Sequence, residues 1–158
     1  MTTDHTAPPA TFAAQVPLAA IMCKDLVCAR ANLAIETVIH LMVKNHLGCI
    51  PVVDDHRRPL GVITKFDIVE QVDAFLQSAN DGCPLPIDLV ARTADEVMMP
   101  LALTLHAEAT IADAAEMMMC EDLHHVLVVS AAGTLLGVVS SKDIVSWLAG
   151  IPDDAASS

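Results

Sequence analysis

Apolar and polar residues alternate along this chain in two different rhythms, and the two rhythms take turns. Ile35, Val38, Ile39, Met42 and Val43 follow i, i+3, i+4, i+7, i+8 spacing, which predicts one apolar stripe on a helix. Ile111, Ala114, Ala115, Met118 and Met119 predict a second such helix. Between and after them come short, nearly unbroken apolar runs of strand length. These are Ile50-Pro51-Val52-Val53, Leu60-Gly61-Val62-Ile63, Val126-Leu127-Val128-Val129 and Leu135-Leu136-Gly137-Val138-Val139. Polar turns, Asp54 to Pro59 and Ser130 to Gly133, separate the strands of each pair. A shorter apolar stretch precedes each first helix, Leu26-Val27-Cys28 and Leu103-Thr104-Leu105, and predicts one more strand. A closing helix follows each strand pair. It carries Ile68, Val69, Val72, Phe75 and Leu76 in one case, and Ile144, Val145, Trp147 and Leu148 in the other.

The predicted order is therefore β-α-β-β-α, twice, and the residues repeat as well as the pattern. Without a gap, Ile21 to Val69 matches the chain 76 positions further on. Met22 falls on Met98, Ile35 on Ile111, Met42 on Met118, and Leu60-Gly61-Val62 on Leu136-Gly137-Val138. About a quarter of the span is identical, and a match of that length marks an internal repeat. Its sharpest part is Gly61-Val62-Ile63-Thr64-Lys65-Phe66-Asp67-Ile68-Val69 against Gly137-Val138-Val139-Ser140-Ser141-Lys142-Asp143-Ile144-Val145. A unit of about 50 residues buries its sheet poorly alone. Two units packed with pseudo-two-fold symmetry into one α/β (α+β) module are expected. The expected division is a mobile segment 1–15, repeat one at 16–77, a linker 78–94, repeat two at 95–150 and a mobile tail 151–158. The linker carries turn chemistry in Asn80-Asp81-Gly82, Pro84 and Pro86.

Composition narrows the function. Hydrophobic residues make up 54% and aromatics 3%, so the core is aliphatic and offers no stacking platform for single-stranded nucleic acid. The net charge of −12 opposes a nucleic-acid backbone or an anionic membrane surface. A phosphate group would need local donors and helix N-termini. Cys23, Cys28, Cys49, Cys83 and Cys120 are odd in number and include no CxxC, which suits reduced thiols and a cytoplasmic location. No Lys or Arg precedes Lys24, and no apolar run approaches the length of a membrane span, so neither a signal peptide nor a membrane segment is expected. The positive mean hydropathy points to a rich core or a buried interface.

The residues resemble the CBS (cystathionine-β-synthase) domain, and in particular its tandem pair, the Bateman module. The resemblance rests on Asp95-Glu96-Val97-Met98-Met99-Pro100 with its counterpart Ile21-Met22, on Pro51-Val52-Val53-Asp54, and on the two Gly-apolar-apolar-[Ser/Thr]-x-x-Asp segments. It spans roughly 18–149, so the chain looks like a free-standing pair. It implies adenosyl ligands such as AMP, ADP, ATP or S-adenosylmethionine in clefts between two repeats. Asp67 and Asp143 would take the ribose hydroxyls, and Thr64 and Ser140 the phosphate. His124, before its strand, is a further phosphate candidate, and repeat one carries Gly48-Cys49 there. Val27, Cys28, Ile50, Thr104, Leu105 and Val126 would line the adenine slots. Gly61 and Gly137 would permit close approach to ligand or special torsions. No cofactor is required. The nucleotide is a ligand, with Mg²⁺ as an optional companion.

The chemistry is consistent with these roles. A carboxylate has two acceptor oxygens for a vicinal diol, and a hydroxyl at a helix start sits where an anion is favoured. The same residues also read as capping boxes with Asp in place of Glu, and capping and binding are compatible. Glu116, Cys120 and His124 have i, i+4 spacing but no second ligand pair, and no metal site is expected. Arg30 and His106 occupy equivalent places after the first strands, where either could reach a phosphate but a solvent-exposed role is the more common one. Met117-Met118-Met119 is either core or the helical face of a homodimer. No nucleophile elbow, phosphate loop or hydrolase motif is present, so a non-enzyme is expected. Two function classes follow. One is an energy-sensing regulatory module that signals through dimer packing or an unidentified protein partner. The other is a structural dimerisation or interaction module with no nucleotide.

Overall fold

The computed structural model describes residues 12–80, 91–100 and 103–151. The chain divides into two compact units, Val27–Ala102 and the pair Met1–Leu26 with Leu103–Ser158. In the first, β1 (Ala29–Arg30), α1 (Ile35–Lys44), β2 (Cys49–Val53), β3 (Pro59–Thr64) and α2 (Lys65–Asn80) are followed by the short α3 (Ala94–Val97) and β4 (Met99–Pro100). The sheet order is β1-β2-β3-β4, with β1 parallel to β2 and the other pairs antiparallel. In the second, a 3₁₀ turn (Leu18–Ala20) precedes β5 (Thr104–His106), α4 (Ile111–Cys120), β6 (His125–Val129), β7 (Leu135–Ser140) and α5 (Ser141–Leu148). Its sheet order is β5-β6-β7. The mixed α/β architecture and the repeated β-α-β-β-α order agree with the expectation.

The central strands explain the unbroken apolar runs. All five residues of β2 are buried, as are the last four of β6, because each strand has a neighbour on both edges and is covered on both faces. The same bulge interrupts both hairpins, between Val52 and Val53 and between Val128 and Val129. Helix α1 buries Ile35, Val38 and Met42, and α4 buries Ile111, Ala114 and Met118. Each fully buried aliphatic side chain contributes about 1.5–3 kcal/mol. Both helices end in the same way. His46 and Asp122 take left-handed backbone (φ 54° each), and Leu47 and Leu123 donate back to Met42 and Met118.

Three expectations shift. The fifth position of each stripe is exposed, Val43 at 70% and Met119 at 83%, while Leu41 and Met117 are half-buried against the cores in their place. The first strands begin later than Leu26 and Leu103, because Ala29 is the residue that pairs with Val52, and Thr104 the one that pairs with Leu127. Within the segment expected to be mobile, Gln15 donates to the Phe12 carbonyl and Ala13 is buried. The rest of that segment, the Asp81-Gly82, Pro84 and Pro86 turn chemistry, Cys83, the 152–158 tail and the side chain of Phe75 lie outside the described residues.

The lead-in segments pair in a crossed fashion. Leu18 and Ala19 donate to the carbonyls of Ala109 and Ala107, in the second sequence repeat. Ala94 and Asp95 donate to Leu33 and Ala31, in the first. Each sequence repeat is thus completed by the segment that introduces the other.

Candidate functional site

Both motifs fold as the end of a strand running straight into a helix. Thr64 closes β3 and Lys65 opens α2; Ser140 closes β7 and Ser141 opens α5. At the first motif one oxygen of Asp67, Oδ2, accepts from the Thr64 backbone N–H and from its hydroxyl, each at 2.6 Å. The Asp67 N–H donates to Thr64 Oγ1 at 3.3 Å. At the second, Asp143 Oδ2 accepts from Ser140 N at 2.6 Å and Ser140 Oγ at 2.7 Å, and Asp143 N donates back at 3.2 Å. These are reciprocal capping boxes. Each leaves Oδ1 with no hydrogen-bond partner among the described residues. Asp67 is buried (8% exposed) and Asp143 half-buried.

Two other boxes calibrate that geometry. Thr110 with Asp113 makes the same bonds before α4, and before α3 Thr93 gives its N–H and hydroxyl to Glu96, with the hydroxyl also directed at Asp95. There the cap's bonds hold Asp113 and Glu96 below the ordinary carboxylate range, the backbone N–H bond being the largest cause. The box therefore explains helix starts in general. What sets Thr64 and Ser140 apart is their place at the end of a core strand.

The neighbours of the motifs differ from the sequence expectation. Cross-strand register puts Cys49 opposite Thr64 and His125 opposite Ser140, so these side chains share a sheet face with the motif hydroxyls. His124, the residue expected there, is exposed, and its carbonyl accepts from Ser141 N at 2.9 Å. Gly48 does the same for Lys65 N at 3.2 Å. Counting back along each hairpin from the motif hydroxyl would have found His125. Ile50 and Val126 are fully buried within the two cores and have no surface to offer an adenine ring. Of the other adenine candidates, Val27, Cys28 and Leu105 are half-buried and Thr104 is exposed.

The motif glycines have a different partner from the one expected. A Cβ at Gly61 would lie 2.5 Å from the Met99 carbonyl oxygen and 2.7 Å from Met98 Sδ. At Gly137 it would lie 2.7 Å from Met22 Sδ and 2.9 Å from the Cys23 carbonyl. Neither glycine has left-handed backbone, unlike Gly133 and Gly150. The close approach is made by the protein's own crossed lead-in segments. Cys28, expected only to line a slot, is half-buried near the guanidinium groups of Arg57 and Arg30. Burial pushes its thiol up, against the pull of Arg57 and Arg30. Arg30 itself pairs with Asp55 at 3.0 Å. Among the described residues no group of three His, Cys, Asp or Glu is placed to hold a metal, and no helix is long and apolar enough to cross a membrane.

Comparison with known proteins supplies the context. The family model for the CBS domain matches twice, at residues 18–74 and 94–150. An uncharacterised protein of Methanocaldococcus jannaschii is 28% identical over 137 residues, covering 85% of this chain and 32% of its own length. The L-aspartate semialdehyde sulfurtransferase of the same organism is 26% identical over 124 residues, 78% of this chain and 21% of its own. The chain thus spans a third or less of these two relatives. A second uncharacterised protein from that organism is 28% identical over 149 residues and is covered over 88% of its length. Among solved structures, CBSX2 in complex with AMP matches with a TM-score of 0.70 at 20% identity, covering 85% of this chain and 97% of that one. The CBS domain pair of protein MJ0100, in complex with 5′-methylthioadenosine and S-adenosyl-L-methionine, matches with a TM-score of 0.72 at 23% identity and the same coverage.

Proposed function

The chain belongs to the CBS-domain family, matched over both of its repeats, and from that premise we propose that it is a non-catalytic regulatory module that binds an adenine nucleotide. The observation that carries this reading is the duplicated motif. Two aspartates, each at the first turn of a helix that follows a core strand, commit one carboxylate oxygen to the cap and, among the described residues, leave the other open. An open Oδ1 suits a ribose diol, and the helix start with its hydroxyl suits a phosphate. The AMP and adenosyl compounds bound by CBSX2 and MJ0100 support the ligand class. Of the two motifs, the one at Ser140 has His125 across the strand, and this favours phosphate there over the Cys49 side. AMP, ADP and ATP, with or without Mg²⁺, all fit the proposal. The chain works in the cytoplasm on this reading, since Cys23, Cys28 and Cys120 form no disulfide.

The test is a thermal-shift series with AMP, ADP, ATP and S-adenosylmethionine on the native protein and on Asp67→Ala and Asp143→Ala. A ligand at 100 times its Kd adds about 2.7 kcal/mol, or roughly 5–10 °C for a chain of this size. Loss of the shift in one variant assigns the site. No shift with any of the four sinks the nucleotide reading.

One observation favours a second element, assembly with another copy. Apolar residues are exposed in matched pairs, Val43 with Met119, Val69 with Val145, and Val72 with Leu148. Solvent-facing apolar residues repeated at equivalent places suit a self-complementary helical face. Sedimentation of Met119→Glu beside the native protein tests it. A native monomer, or a dimer indifferent to the substitution, removes dimerisation through this face.

A further inference from the structure

We infer that the motif hydroxyl is a proton switch that makes recognition of a 5′-phosphate and of the ribose diol depend on each other. The inference rests on the nucleotide reading above and concerns how one motif holds both parts of the ligand.

It follows from counting protons and lone pairs. Thr64 and Ser140 each have one hydroxyl proton. In the structure that proton is already given to Oδ2 of Asp67 or Asp143, at 2.6 and 2.7 Å. A phosphate oxygen needs a donor. The hydroxyl meets it only by turning its O–H away from the carboxylate. The oxygen itself need not move, so two bonds of each box survive the turn. These are the backbone N–H of Thr64 or Ser140 to Oδ2, and the Asp N–H to the hydroxyl oxygen. The helix start therefore stays capped while the switch operates.

The turn changes what the carboxylate offers. Before it, Oδ2 holds two donors and both its lone pairs are engaged. A diol is then left with Oδ1 alone. After it, each carboxylate oxygen has a lone pair free, and two neighbouring hydroxyls can bind one to each oxygen, the arrangement a planar carboxylate favours. Phosphate binding thus improves diol binding at the same motif, and by reciprocity the diol improves phosphate binding. The cap at Thr110 has the same bonds but not the strand-end setting, and serves as the control.

The experiment is a four-ligand cycle measured by calorimetry: adenosine, AMP, 2′,3′-dideoxyadenosine and 2′,3′-dideoxy-AMP. It is run on the native protein, Thr64→Ala, Ser140→Ala, the double variant, and Thr110→Ala. In the native protein, removing the diol is expected to weaken AMP about threefold or more beyond its effect on adenosine, the size of coupling common between neighbouring groups. In the double variant that ratio falls to about one. Thr110→Ala keeps the native ratio. Glycine at an N-cap costs only a few tenths of a kcal/mol relative to the native cap, so Thr64→Gly and Ser140→Gly replace any alanine variant that fails to fold. A native ratio of one overturns the switch and leaves the nucleotide reading standing. A ratio that survives removal of both hydroxyls overturns their assignment. A native protein that binds none of the four overturns the switch, and the nucleotide reading falls with it only when ADP, ATP and S-adenosylmethionine also fail to shift its Tm.

Discussion

Alanine at Gly137 gives opposite outcomes for three accounts of that glycine. If it were an ordinary strand glycine with open space beside it, alanine would stabilise the protein by about 0.4–1 kcal/mol through the unfolded chain. If it existed for the close approach of a ligand, alanine would leave stability alone and abolish binding. The structure fills the position with Met22 and the Cys23 carbonyl, at 2.7 and 2.9 Å from the added carbon. Overpacking of this kind costs about 1–3 kcal/mol, which overrides the gain. At Gly61 the nearest atom is the Met99 carbonyl oxygen at 2.5 Å. It belongs to a strand backbone paired with Gly61 and Val62, so it has less freedom to retreat than a methionine side chain. Gly61→Ala is expected near 3 kcal/mol and Gly137→Ala nearer 1–2 kcal/mol. At 2–4 °C per kcal/mol these are losses of roughly 6–12 °C and 2–8 °C in Tm. Urea unfolding of each variant, with Met22→Ala and the Gly137→Ala/Met22→Ala pair, checks the mechanism. The pair is expected to be at least 0.5 kcal/mol more stable than the sum of the single losses predicts. Strict additivity, or a raised Tm in either glycine variant, would refute the packing account.

Other outcomes follow from the same structure. Ile35→Ala and Ile111→Ala empty equivalent core positions that are almost wholly buried, and denaturant unfolding should show about 2–5 kcal/mol lost in each. The Asp113 carboxyl is held below its ordinary value by the Thr110 N–H and hydroxyl. Its stabilisation is therefore present above the unfolded value of about 3.9 and lost as pH falls through the lower folded value. Thr110→Ala should flatten the acid limb of stability measured as pH falls below about 3.9. A fragment cut at the contact boundary, Val27–Ala102, retains Met98 and Met99 against Gly61, whereas one cut at the sequence repeat, 16–77, lacks them. Circular dichroism should find the first folded and the second largely unfolded.

The repeat was legible because two copies of one pattern check each other. A single apolar run such as Ile50–Val53 is ambiguous between strand and buried helix, but the same run 76 positions later, before the same Gly-apolar-apolar-hydroxyl segment, is not. Periodicity also located both first helices, and erred at the fifth stripe position. There Val43 and Met119 lie at the edge of the apolar arc, and Leu41 and Met117 take the inner place. What periodicity could not carry was partnership. Self-similarity assigns Met22 to the first repeat, yet its side chain lies on Gly137 of the second, because a lead-in segment has no preference in sequence for one copy of a duplicated sheet over the other. The site was legible to the same depth. The repeated segment and its resemblance singled out Thr64, Asp67, Ser140 and Asp143 as candidates, but not that the hydroxyl proton was already committed, nor that register sets His125 rather than His124 beside Ser140. A duplicated motif names the groups. Which of their lone pairs remain open for a ligand is fixed by bonds that form only once strand and helix meet.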